Sequence, residues 1–165
     1  MTTISEVSIP TLRFPIECNT NAPSHRPAGM STSARAEPRV LVIDDESALC
    51  ELLSLYLGHK GLEVATVQRA GEARAIVERG QFDLVLLDWK LDGVEGLDLL
   101  HLSKALHPDI PVIIYTGADL NEGSLGSGLA READAVIPKM GPLDALSTAI
   151  FRHLDQRQAG LRKAS

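Results

Sequence analysis

From residue 39 onward the chain alternates short, nearly continuous aliphatic runs with longer stretches of helical period, and each run ends at or beside a polar residue. The runs are residues 39–43, 62–67, 82–87, 110–116 and 135–138. Their apolar character is too continuous for strands with one wet face, so they read as strands covered on both sides, as a parallel sheet requires. Parallel neighbours need crossover connections, and helical stretches at 47–59, 70–79, 94–106, 119–131 and 142–155 supply them. The pattern predicts an α/β domain: a doubly wound, five-stranded parallel sheet in the order 2-1-3-4-5 with helices on both faces. Leu49, Leu52, Leu53 and Tyr56 give the first helix its apolar stripe. The fourth helical stretch is expected to be short or mobile, because Gly123, Gly126 and Gly128 each cost about 1 kcal/mol against alanine.

The 165 residues suffice for one domain with a sizeable core, which should be aliphatic because aromatics make up only 4%. Residues 1–38 contain Pro10, Pro15, Pro23, Pro27 and Pro38 among Ser, Thr, Asn and Ala, and are expected to form a disordered extension. Residues 39–155 are expected to form the domain and residues 156–165 a short basic tail, and no output domain is expected after it. Cys18 and Cys50 have no companions at metal-ligand spacing. No apolar run reaches secretory or spanning length, which points to a cytoplasmic protein without a membrane partner. Residues 39–151 carry 18 acids against 9 bases, which argues against nucleic-acid binding and suits a cation site.

The first run passes from Ile43 into Asp44, Asp45 and Glu46, and the third from Leu87 into Asp88. In the predicted order these strands are neighbours, so three carboxylates meet in the crevice at the strand ends, where ligands bind in open parallel sheets. Mutual repulsion opposes their joint ionisation unless a hard cation lies between them, and Mg²⁺ is the natural occupant. A lone acid after a strand is more often a turn or helix-capping residue, but a pair facing a third is poorly explained that way. Thr116 and Lys139 end the fourth and fifth runs on the same rim. With Mg²⁺ they could stabilise the oxygens of a phosphoryl group attacked by an aspartate.

The motifs IDDE, LLDWKLDG, YTGAD and IPK, in this order and spacing over residues 39–155, resemble the receiver domain of two-component response regulators. The resemblance implies a flavodoxin-like fold with Asp88 as phosphoacceptor and Mg²⁺ held by Asp45, Asp88 and the backbone carbonyl of Lys90. It makes Asp44 a metal ligand through water, Thr116 the switch hydroxyl and Lys139 the phosphoryl-pairing cation. It also implies a histidine kinase or histidine phosphotransfer protein as donor, signalling through a downstream protein, and no enzymatic role beyond self-catalysed transfer and slow autodephosphorylation.

The chain departs from that pattern at Val136, where receivers usually carry an aromatic, at Met140, where a proline commonly follows the lysine, and at Asp92, where a proline is common. A binding module that does not switch is therefore an alternative. An aspartate-nucleophile phosphohydrolase would place a second Asp two residues after the nucleophile, where this chain has Lys90. A flavin-binding protein of the same fold would need Ser, Thr or Gly after the first strand, and acids stand there.

Overall fold

The computed structural model describes residues 37–91, 94–117 and 132–163. Its strands are β1 (Arg39–Ile43), β2 (Glu63–Val67), β3 (Leu84–Leu87), β4 (Lys90–Leu91), β5 (Val94–Glu95), β6 (Val112–Thr116) and β7 (Ala135–Pro138). The helices are α1 (Ser47–His59), α2 (Ala70–Arg79), α3 (Leu97–Leu106) and α4 (Leu143–Lys163). Five strands form one parallel sheet in the order β2-β1-β3-β6-β7, the predicted arrangement, since β6 and β7 are its fourth and fifth members along the chain. The expected helix at 119–131 and nearly all of the expected extension lie outside the described residues. Among the described residues no helix is long and apolar enough to cross a membrane.

Alternation along the strands divides the core between the two faces of the sheet. Val40, Val42, Leu84, Leu86, Ile113 and Tyr115 form one cluster with Cys50, Leu53 and Leu57 of α1 and Leu146, Ile150 and Leu154 of α4. The intervening Leu41, Ile43, Val85, Leu87, Val112 and Ile114 are equally buried, and belong to the opposite face. There α2 packs against α3, with Ala73, Val77 and Leu100 fully buried. The stripe on α1 differs in one member from the expected set: Leu53 is buried, whereas Leu52 is 47% exposed. The two are about 100° apart on the helix, so the side that faces β1 and β3 takes Cys50, Leu53 and Leu57 and leaves Leu52 outside.

Two boundaries move by more than two residues. Residues 94–95 are not the first turn of α3, because they pair antiparallel with Lys90 and Leu91, and the helix starts only after Gly96. The last helix does not stop at residue 155 but runs to Lys163, so most of the expected basic tail is helical. Only Gly160 weakens that segment, and Arg157 pins it to the body through an ion pair with Asp83, the residue before β3.

Helix α2 ends on Gly80, whose φ of +62° is the left-handed conformation glycine adopts without penalty. His107, after α3, bonds through Nε2 to the carbonyl of Val77 at 2.8 Å, and its ring covers Gly80 so closely that a Cβ there would overlap it. Gly80→Ala is therefore expected to lose about 3 kcal/mol, combining backbone strain with displacement of the imidazole, as read from the urea unfolding midpoint. A loss below about 1 kcal/mol would show that the ring moves aside freely.

Candidate functional site

Backbone bonds that continue past the ends of the strands assemble the rim. The Asp44 N–H donates to Val67 O at 3.0 Å, and the Asp88 N–H donates to Ile43 O at 2.8 Å, one rung beyond the β1–β3 ladder. Both acids are thereby held where the sheet opens, 2% and 7% exposed respectively. Asp44 Oδ1 also accepts the Glu46 N–H at 3.0 Å just before α1, so the turn role expected of a post-strand acid is present beside its place in the site, while the helix itself starts without a side-chain cap. Exposed Asp45 completes the group: one carboxylate oxygen from each of Asp44, Asp45 and Asp88 lies within 4.8 Å of the others.

Lys139 enters from the far edge of the sheet. Its N–H donates to Thr116 O at 2.8 Å, and its Nζ lies 2.7 Å from Asp44 Oδ2 and 2.8 Å from Asp88 Oδ2. Burial pushes the Asp44 carboxyl above the ordinary carboxylate range, opposed by the Lys139 and Glu46 hydrogen bonds and reinforced by the charge of Asp88. Burial alone would lower the lysine, but the two carboxylates more than offset it and hold Lys139 above its ordinary value. One ammonium cannot balance three carboxylates. The oxygen donor set suits a hard divalent cation, and these residues fit Mg²⁺.

The other expected residues are close by. Thr116, 1% exposed, ends β6 beside Pro138 of β7. The Lys90 N–H lies 3.3 Å from Asp88 Oδ1, while its side chain points to solvent. Val136 is half-buried in β7 opposite Ile114, and Met140 is 94% exposed. Asp92 lies outside the described residues.

Sequence reasoning passed over two contributors. Gly96 donates its N–H to Trp89 O at 2.6 Å, and a Cβ on it would lie 2.7 Å from Asp88 O, so the turn after the acid closes only around a bare α-carbon. Cys50 donates its thiol to Asp44 O at 3.3 Å beneath the acid pair. Burial, then the charge of Asp44, pushes that thiol up to about 11, which leaves it protonated and structural. A glycine in the first turn of the helix expected at 94–106 was the only available signal for the first, and none marked the second.

A doubly wound parallel sheet with an acidic, lysine-bridged crevice at its carboxyl end defines a receiver-type module. The response regulator receiver domain model matches residues 40–151, and the chain belongs to that family. It is 32% identical over 133 residues to the alginate biosynthesis transcriptional regulatory protein AlgB of Pseudomonas aeruginosa, covering 81% of this chain and 29% of that protein. It is 35% identical over 100 residues to the probable transcriptional regulatory protein TcrX of Mycobacterium tuberculosis, covering 61% of this chain and 42% of that protein. The match thus spans less than half the length of these relatives. Among solved structures, a CheY-like receiver domain from Methanospirillum hungatei superposes with a TM-score of 0.68 at 34% identity, over 74% of this chain and 98% of that one. TrrA of Thermotoga maritima, solved with Mg²⁺ and BeF, gives 0.64 at 28% identity over 70% of this chain and 98% of that one.

Proposed function

We propose that this receiver accepts a phosphoryl group on Asp88 from a histidine kinase or histidine phosphotransfer protein and signals through contact with a downstream protein. The observation that carries the reading is the Lys139 ammonium, bridging Asp88 and Asp44 at 2.8 and 2.7 Å beside a third carboxylate. In transfer, an Asp88 carboxylate oxygen bonds to phosphorus while the bond from phosphorus to the donor's imidazole nitrogen breaks. The imidazole leaves with that electron pair and is protonated. Lys139 keeps its charge throughout and shifts from the acceptor carboxylate to a phosphoryl oxygen, where the Thr116 hydroxyl donates as well. Asp45, Asp88 and the Lys90 carbonyl would hold Mg²⁺ directly and Asp44 through water, and the metal supplies positive charge against the equatorial oxygens. TrrA, crystallised with Mg²⁺ and BeF, supports the same occupancy here.

The domain boundaries of this reading are residues 39–155, with 1–38 as an extension outside the receiver and α4 continuing past its end. The acidic body favours a protein partner over nucleic acid, and a cytoplasmic setting fits a kinase donor. The test is incubation with acetyl phosphate and Mg²⁺ followed by intact-mass measurement. Wild type is expected to gain one phosphoryl group and Asp88→Asn none, and equal labelling of the two proteins would refute the reading.

The metal assignment makes its own prediction. Trp89, the chain's one tryptophan, is 6% exposed next to the acceptor, and its fluorescence should report Mg²⁺ titration. Asp45→Ala is expected to weaken binding about 100-fold, as loss of a direct ligand does, and Asp44→Ala about 10-fold. The reverse order would contradict the roles given to the two acids.

A further inference from the structure

We propose that Tyr115 is a positioning residue for Lys139, acting through the lysine's backbone; the inference rests on the assignment of Asp88 as phosphoacceptor. Tyr115 is the penultimate residue of β6 and lies in the core cluster with Val42, Leu86 and Ile113, 3% exposed. Its ring contributes to packing between the sheet and the α1/α4 layer, but its hydroxyl does not end in apolar surroundings. It donates to the carbonyl of Lys139 at 3.5 Å, a long contact beyond the usual O–H···O range of about 2.5–3.0 Å. A buried phenol without a partner carries a desolvation cost, so this acceptor holds the ring's orientation as well as its own.

The consequence follows from the second bond at the same residue. The Lys139 N–H donates to Thr116 O at 2.8 Å, so two successive residues of β6 hold both backbone groups of Lys139. Register continues the grip, with Tyr115 opposite Ile137 and Thr116 opposite Pro138. Past Pro138 the strand ends and the chain turns, with the Gly141 N–H returning to Pro138 O at 3.1 Å. The lysine stem therefore springs from the last point where β6 controls β7. Its Nζ must meet two carboxylates at once, at 2.7 and 2.8 Å, and that bridge tolerates little movement of the Cα. Releasing the carbonyl lets the turn at Lys139 drift, and the ammonium trades one carboxylate for water.

Tyr115→Phe removes the hydroxyl and keeps the ring, whereas Tyr115→Leu removes both. Two readouts separate this role from packing. In metal-free buffer, a nitrogen–proton correlation spectrum of the lysine ammonium groups should show a slowly exchanging Lys139 signal in wild type and its loss in Tyr115→Phe. With acetyl phosphate and Mg²⁺, Tyr115→Phe should be labelled about fivefold more slowly, with an unfolding midpoint close to wild type. Tyr115→Leu, compared per folded molecule, should be slowed by the same factor, because the hydroxyl is what matters. The proposal is overturned if Tyr115→Phe retains the Lys139 signal or the wild-type labelling rate, or if Tyr115→Leu alone is slow. If Asp88→Asn were labelled as well as wild type, the acceptor assignment would fail, while the ammonium spectrum would still decide whether Tyr115 holds Lys139.

Discussion

Lys139→Met is expected to lower folding stability by about 3 kcal/mol in metal-free buffer, because it strands two buried carboxylates that share one ammonium. The side chains of Asp44 and Asp88 are only 3% and 8% exposed, so water cannot take over the lysine's role without opening the rim. Methionine fills similar volume, which separates the charge effect from a cavity. Millimolar Mg²⁺ should restore much of the loss, since a cation that binds only the folded state stabilises it by mass action. The same substitution should slow labelling of Asp88 by acetyl phosphate about 100-fold, the usual cost of removing a preorganised charge from the reacting oxygens. Urea titrations with and without Mg²⁺ read the first effect and mass spectrometry the second. A variant as stable as wild type in chelator would mean that the bridge is not what holds the two acids together.

Gly96→Ala is expected to be nearly as damaging for a different reason. The added methyl would lie 2.7 Å from Asp88 O and 3.3 Å from Trp89 O, and both neighbours are backbone that cannot rotate away. Relief requires moving the turn that carries Asp88 and breaking the bond from the Gly96 N–H to Trp89 O. The cost should be about 3 kcal/mol, at the upper end for overpacking. Displacing Asp88 by about an ångström from Lys139 should slow labelling about 100-fold. Gly71 in α2 is the control, because a Cβ there meets nothing within 4 Å and Gly71→Ala should be neutral or slightly stabilising. Equal stability of the two variants would remove the argument from close packing.

The strands were legible because burial on both faces demands unbroken aliphatic runs, and the rim because each run ends on a residue the core would reject. Asp44, Asp88, Thr116 and Lys139 could be brought to one crevice once strand order placed β1 beside β3, and the register does so. What escaped depends on contacts made far along the chain. Val94 looks like the opening of a helix, and only the closing of the turn after Asp88 commits it to a ladder with Leu91. Leu52 and Leu53 are equally apolar, and only the direction from which the sheet approaches α1 selects Leu53. The helix end near residue 155 carried no stop signal at all, and its continuation to Lys163 is fixed by an ion pair with Asp83, more than seventy residues away. Tyr115 was readable as the residue next to Thr116 on the opposite face, but its hydroxyl's partner is set by how β7 turns after Pro138.

Reductive trapping of the phosphorylated protein tests the central claim most directly. Borohydride reduces an acyl phosphate on an aspartate to homoserine and leaves free carboxylates and phosphate esters untouched. After brief exposure to acetyl phosphate and Mg²⁺, peptide mapping by mass spectrometry should find homoserine at position 88 and unmodified aspartate at positions 44 and 45. Homoserine at 44 or 45, or a stable phosphate ester on Thr116 with Asp88 intact, would contradict the account.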